Sequence, residues 1–425
     1  MTYKESLEYM TGLNKRGIHP GVEGIKLLCE ALQNPFGESE YIHVVGTNGK
    51  GSTTVFLSEI LKASGKRVGV FSSPAVFNER ETIKVNGRAI SQDDYARLVE
   101  QISQKNTMGC TAFEVETVLT LMFFKEKKCD YVILEAGMGG ELDATNVIPN
   151  SKMTVLTAIG FDHKQYLGNT LFDIANTKAG VIKPDSLAIS TKQDEEAYKA
   201  IIERAKKVNA NLSESDYTLA SKIKFKSDVT TFNYKDLKDI EISLKGTFQV
   251  QNACLAIDAA TALQINPKFI LKGLKAAKEE GLFDKISEKP DVYLDGAHNP
   301  PAAIRLKESI ETYFTKKKII YIMGMLKDKD VQSFAEITAP LADCIFTVAT
   351  PKRERSMSSF ELADIVRGTN QMVTAMDSID EAVEIALSMA DKDTVIIALG
   401  SLSHLSAVKE AVTAFKSRRK GKLKV

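Results

Sequence analysis

The chain runs to 425 residues, 56 of them Lys or Arg and 55 Asp or Glu, with five cysteines and a formal charge of +1. That length exceeds what one hydrophobic core supports, so two domains are expected, and the charge balance excludes a nucleic-acid footprint, the basic run at 416–422 reading as a solvated terminus. The cysteines lie far apart with no C-x-x-C pair, and no apolar stretch nears the ~20 residues of a membrane span, which predicts a reduced, cytoplasmic chain without signal peptide or membrane partner.

Residues 3–32 read as two short helices around a turn-rich connector at 17–21. Residues 41–45 then read as a buried strand, 46–51 as a tight glycine-rich loop and 55–63 as the helix it opens. Gly46, Thr47, Asn48, Gly49, Lys50, Gly51, Ser52 and Thr53 make this loop a candidate phosphate cradle. Glycines let backbone N–H groups converge on a phosphate, the helix N-terminus adds partial positive charge, Lys50 supplies a cation and Ser52 or Thr53 a hydroxyl for Mg²⁺. The spacing is a short variant of the common G-x-x-x-x-G-K-[ST] pattern, with Gly51 between Lys50 and Ser52.

A second strand at 67–72 ends in Ser72-Ser73-Pro74, and a polar loop follows with Asn78-Glu79-Arg80 and a turn at Asn86-Gly87. Residues 91–101 have amphipathic helical spacing, and 111–125 read as a more buried helix. The run 131–134 is wholly apolar, as in a strand covered on both faces of a parallel sheet, and it ends at Glu135 before Gly137, Gly139 and Gly140. Another strand, 153–158, leads to Gly160-Phe161-Asp162-His163, and 171–181 reads as a helix. Beyond residue 189 come a charged helix at 195–208, alternating strand-like residues over 217–246 and an alanine-rich helix at 248–263. Residues 279–291 read as a hinge between domains spanning 1–285 and 291–425, the latter a second α/β series from 292 to 399. The predicted fold is α/β: a P-loop, doubly wound and mainly parallel sheet with a small antiparallel extension, then a smaller Rossmann-like α/β domain.

Ser52, Ser73, Glu135 and His163 all fall in the loop or at strand ends, where one metal–phosphate site could gather them. Hard Mg²⁺ favours the oxygen donors; His163 is an unusual ligand and by itself reads more readily as a hydrogen-bonded strand-end histidine. A carboxylate that ends an apolar strand, as Glu135 does, is costly unless paired or metal-bound. In the second half, an N-cap followed by proline explains Asn299 and Pro300 but leaves Asp295 and His298 for a nucleotide or catalytic role. The charged runs 327–330 and 352–355 read either as site residues or as solvated loops.

Gly46 to Ser52, Ser72-Ser73-Pro74 with Asn78-Glu79-Arg80, Leu134 to Gly140 with Leu142-Asp143-Ala144-Thr145-Asn146, Asp162-His163, Lys178-Ala179-Gly180 and Asp295 to Pro300 together resemble the folylpolyglutamate synthase/dihydrofolate synthase family of the Mur ligase superfamily. The resemblance runs in order from about residue 1 to 405. It implies an ATP-dependent amide ligase, in which an acceptor carboxylate takes the γ-phosphoryl group and the amine of L-glutamate attacks the acyl phosphate. It further implies ATP on the 46–53 loop and near Asn252, Asp295 and His298, with Lys50, Lys178 and His298 as catalytic groups. Two Mg²⁺ ions are implied, one on Ser52 and one on Ser73, Glu135 and His163. Lys178 matches a lysine carbamylated in the family to N6-carboxylysine, and an unmodified lysine in a helix turn stands as the other reading. Phe113 with Glu114, and Leu142, Asp143 and Ala144, match a pterin-binding wall. The implied partners are small molecules, folate or pteroate with L-glutamate and ATP, acting on a monomer, with closure over ATP about the hinge.

The chain departs from the family pattern at Leu282, where an arginine near ATP is usual, at Glu141, where arginine is common, and at Ala75, where many relatives have histidine. Arg353 or Arg355 could replace the cation missing at Leu282. The alternatives these departures favour are a Mur-ligase-type enzyme for a non-folate carboxylate and a catalytically weakened paralogue; an ordinary phosphate-loop NTPase would not need the second domain.

Overall fold

In the computed structural model the described residues are all but 18–20, 108, 227–228, 352–353 and 423–425. The connector at 17–21, the run at 352–355 and Arg353 therefore lie wholly or partly outside them, as do the side chains of the basic run beyond 418. The chain divides into one unit of residues 1–223, 231–242 and 250–277 and another of 224–230, 243–249 and 278–425.

The first unit is built on eight strands: β1 (Glu40–Val45), β2 (Val68–Phe71), β3 (Ile83–Val85), β4 (Arg88–Ala89), β5 (Tyr131–Glu135), β6 (Met153–Leu156), β7 (Leu187–Thr191) and β8 (Asn211–Ser215), in the order β4-β3-β2-β5-β1-β6-β7-β8. Strands from β2 through β8 along that order are parallel, and β3 and β4 form an antiparallel edge. Central β1 is buried from Tyr41 to Val45, as a strand covered on both faces must be. The Asn86-Gly87 turn joins β3 to β4 with φ of 50° and 80°, the left-handed pair that a type I′ hairpin needs. Helices Gln92–Ser103 and Ala112–Glu126 start at side-chain caps on Ser91 and Thr111 and bury Leu98, Val115 and Leu119 with Tyr41, Phe71 and Leu134. A further sheet has the order β11 (Leu237–Ile242), β10 (Thr230–Tyr234), β9 (Ser221–Phe225).

The second unit holds six strands: β12 (Asp284–Glu288), β13 (Asp291–Leu294), β14 (Lys318–Met323), β15 (Cys344–Thr347), β16 (Val373–Ala375) and β17 (Thr394–Leu399), in the order β12-β13-β17-β14-β15-β16. All pairings are parallel except that of β12, which lies within the stretch expected to be a hinge and pairs antiparallel with β13. Its core includes an aromatic group of Phe283, Tyr293, Tyr313 and Phe314, with ring centroids 5.0–5.6 Å apart between Tyr293 and Phe314 and from Phe283 to the rest. Among the described residues no helix is long and apolar enough to cross a membrane.

Candidate active site

The phosphate loop is shorter than the sequence suggests, because the helix that follows spans Lys50–Ala63 rather than opening at Val55. Gly49 is its N-cap at φ 88°, a left-handed conformation that only glycine adopts without strain, and a Cβ there would strike the Asn252 amide, whose Cγ would be 3.2 Å away. The loop and Asn252 are thus in contact. Thr47 and Asn48 N–H groups donate to the Ala158 carbonyl at 2.9 and 3.1 Å, and the Thr47 hydroxyl donates to Gly160 O while accepting from Gly160 N. These bonds lace the loop to the exit of β6.

Two lysines converge on the loop. Lys50 Nζ donates to the carbonyls of Gly46 and Thr47, each at 3.3 Å, and buried Lys178 donates to the same Gly46 oxygen at 2.9 Å. Burial first, then the Lys50 charge, lowers the Lys178 amine to about 7. Burial thus favours its neutral amine over the ammonium.

Glu135 ends β5 opposite Val44 of β1, and burial raises its carboxyl to about 7 against the pull of Lys50. Ser52 is fully buried in the first helical turn, Ser73 follows the end of β2, and His163 sits at φ 50° ahead of a short helix, its Nε2 3.9 Å from Asp162 Oδ1. Because β2, β5, β1 and β6 are neighbours, these residues share one edge of the sheet at the strands' carboxyl ends. Among the described residues no three His, Cys, Asp or Glu side chains form a metal-holding group. Hydroxyls and one carboxylate instead fit Mg²⁺ that draws its remaining ligands from phosphate and water, and a buried carboxyl raised this far gains by meeting a cation.

The residues expected to form the acceptor wall lie on the loop after β5 and on the start of the helix Ala112–Glu126. Phe113 stacks on Phe71 with centroids 5.8 Å apart and lies so close to Gly137 that a Cβ there would be 2.7 Å from its ring. Leu142 leaves 50% of its surface exposed, an apolar side chain with a face to offer. Glu114 instead closes a capping box, accepting from Thr111 N and Oγ1 at 2.7 and 2.8 Å. Asp143 folds the loop on itself: Oδ2 accepts from Met138 N at 2.8 Å, and Oδ1 from Thr145 N and Oγ1 at 3.0 and 2.5 Å. Ala144 is buried beneath it. At the other end, Gly140 rests on the helix Leu171–Ala179, where a Cβ would meet Lys178 O at 2.6 Å, and Glu141 N donates to Thr177 O at 2.9 Å.

His43 escaped the sequence reading. It is fully buried on β1, and its Nε2 lies 2.8 Å from Thr145 Oγ1. The signal was a lone histidine inside an otherwise apolar strand.

In the second unit, buried Asp295 accepts from Phe283 N at 2.9 Å and Ala297 N at 2.8 Å, and burial raises its carboxyl to about 6. Those bonds, with Gly296 N donating to Gly281 O at 3.0 Å, hold the segment that contains Leu282. His298 Nδ1 is 2.8 Å from Gly296 O, and since a carbonyl only accepts, Nδ1 carries the proton of that contact. Asn299 caps the helix Pro300–Tyr313. Arg355 makes a two-pronged pair with Asp328, at 3.1 and 2.6 Å, so its guanidinium is engaged by the loop that follows β14.

A short phosphate loop on a parallel sheet, a second α/β unit and paired lysines at the loop define the Mur ligase class. Residues 44–260 match the Mur ligase middle domain, and residues 283–402 match the Mur ligase glutamate ligase domain. The dihydrofolate synthase/folylpolyglutamate synthase of Bacillus subtilis is 31% identical over 432 residues, covering 96% of this chain and 98% of that one. The structure of E. coli FolC in complex with DHPP and ADP superposes with a TM-score of 0.87 at 27% identity, covering 99% of each chain. A bifunctional folylpolyglutamate synthase/dihydrofolate synthase with Mn, AMPPNP and L-glutamate bound gives 0.83 at 28% identity, covering 98% of each chain. The chain belongs to the folylpolyglutamate synthase/dihydrofolate synthase family.

Proposed function

We propose that the chain is an ATP-dependent ligase that joins L-glutamate to the carboxylate of a folate or dihydropteroate. The observation that carries this is the convergence of Lys50 and Lys178 on Gly46 O, where the Lys50 charge also acts on Glu135, together with a loop that exposes Leu142 and packs at Gly137 on Phe113. An oxygen of the acceptor carboxylate attacks the γ-phosphorus and ADP leaves; the glutamate amine then attacks the acyl carbon, phosphate departs and the ammonium proton is lost. Phosphoryl transfer asks the protein chiefly for positioning and charge neutralisation. Lys50 exchanges its loop carbonyls for phosphate oxygens, and the 46–53 loop with Asn252 holds the nucleotide. Divalent metal held by Ser52, Ser73, Glu135 and His163 would neutralise phosphate charge. Burial favours the neutral Lys178 amine, which suits carbamylation: its nitrogen bonds CO₂, one proton is released and a neutral amine becomes an anion able to face metal. The bound ligands of the E. coli and Mn-bound relatives support the same substrates here. The working unit is taken as a monomer, and the five free thiols suit the reducing cytoplasm.

The test is product identification after incubation with MgATP, L-glutamate and 7,8-dihydropteroate or a reduced folate. An acceptor heavier by one glutamyl residue is expected; ATP consumed with no such product would refute the assignment.

A further inference from the structure

A histidine in the central strand of a parallel sheet has no packing reason to be there, since valine or isoleucine would fill the space without a polar ring to satisfy. His43 has one hydrogen bond among the described residues, the 2.8 Å contact from Nε2 to Thr145 Oγ1, while Nδ1 has no partner. Thr145 spends its hydroxyl proton on Asp143 Oδ1, so its oxygen can only accept from the ring. The direction is therefore fixed: His43 Nε2–H donates to Thr145, and Thr145 donates to Asp143.

Asp143 gathers Met138 N and Thr145 N as well, so this relay ends on the group that shapes the loop from 137 to 145. The opposite side of that loop rests on the helix whose Lys178 bonds Gly46 O. Both fastenings lead back to β1 and the phosphate loop it delivers. A ligase needs that arrangement, because the acceptor carboxylate must meet the γ-phosphorus within bonding reach, and small misplacements are costly.

We propose that His43 is a positioning residue for the acceptor, registering the 137–145 loop against the phosphate loop through Thr145 and Asp143. This rests on the assignment of that loop to the acceptor. His43 touches neither substrate; it sets where the Phe113 and Leu142 surfaces stand relative to ATP.

The test combines kinetics with histidine NMR on the full chain. His43→Leu and Thr145→Val are each expected to raise the acceptor KM about tenfold or more, the loss of one well-placed hydrogen bond, with the ATP KM within about twofold. The double variant should be no worse than either single one, and His43→Gln, which keeps a donor near the Nε2 position, should restore most of the loss. A purely structural role would lower stability without that split, so an unchanged acceptor KM, equal rises for ATP and acceptor, or no rescue overturns the proposal. Should His43→Leu fail to fold, Thr145→Val carries the same comparison. In ¹⁵N-histidine-labelled protein, His43 is expected as the Nε2–H tautomer, with its Nε2 signal displaced in Thr145→Val. An Nδ1–H tautomer overturns the relay even if the wild type has no glutamate-dependent turnover, the result that would instead sink the ligase assignment.

Discussion

Lys178 donates at 2.9 Å to the one carbonyl, that of Gly46, on which Lys50 also converges at 3.3 Å. Burial first, and the neighbouring Lys50 charge second, disfavour the Lys178 ammonium, which is why Lys178 is held near 7. Removing its nitrogen as Lys178→Met is expected to cost turnover about 100- to 1,000-fold, the scale of losing one preorganised charge at a phosphoryl-transfer site. Wild-type protein given ¹³CO₂ should display a carbamate ¹³C signal that Lys178→Met lacks. Because the neutral amine is the reactive form, that signal should fade as pH drops below about 7.

The same lysine makes a stability statement. Its ordinary value is 10.5 and its folded value about 7, so between those the unfolded chain holds a proton that the folded chain lacks. Stability contributed by this group therefore rises with pH across that window. Thermal melts of wild type and Lys178→Met in CO₂-free buffer should converge as pH rises from 7 to 10; divergence would contradict the assignment.

Glu135 works in the opposite sense. Its carboxyl is raised from 4.5 to about 7, so the folded chain holds the extra proton in that window and stability falls as pH rises through it. Glu135→Gln should gain on metal-free wild type between pH 5 and 8 by up to a few kcal/mol. Mg²⁺ should stabilise wild type more than the variant, and equal metal shifts in melting would remove Glu135 from the metal site.

Leu142 separates binding from folding. Half its surface is exposed, so Leu142→Ala should change stability by less than about 0.5 kcal/mol. If it lines the acceptor site, the acceptor KM should rise several-fold, roughly 1 kcal/mol of lost apolar contact, with the ATP KM unchanged. A flat acceptor KM would take Leu142 out of the wall.

Gly49→Ala should weaken nucleotide binding more than tenfold, since it sets a side chain at φ 88° against Asn252. Nucleotide titration by calorimetry measures this directly, and wild-type affinity in a folded variant would contradict the loop geometry.

Much of the site was legible because its chemistry leaves punctuation: glycines and Lys50 after an apolar run, Glu135 closing another, Asp295 and His298 before a capped helix. The helix start at Lys50 was missed because Gly51 looks like loop, yet Gly49 provides the left-handed cap that lets the helix begin. Edge elements were hidden for a different reason. β16 is three residues long, β12 is polar and β8 mostly exposed, so none carries the apolar pattern that marks buried strands. The helix Pro267–Ala276 was passed over, although Asn266 and Pro267 offer a cap and a first-turn proline. Sequence could not tell that Asp143 spends its oxygens on loop closure, nor that His43 reaches Thr145 from a distant strand, whereas the Thr111-x-x-Glu114 spacing of a capping box was there to read.

The central claim is that an acceptor carboxylate takes the γ-phosphoryl group before glutamate arrives. It is tested most directly by following ¹⁸O from the labelled carboxylate of dihydropteroate or a reduced folate during turnover with MgATP and L-glutamate. One ¹⁸O atom should appear in each inorganic phosphate released, in step with the glutamylated product. Phosphate free of label would mean that water, not the acceptor, attacks ATP, and would contradict the ligase mechanism.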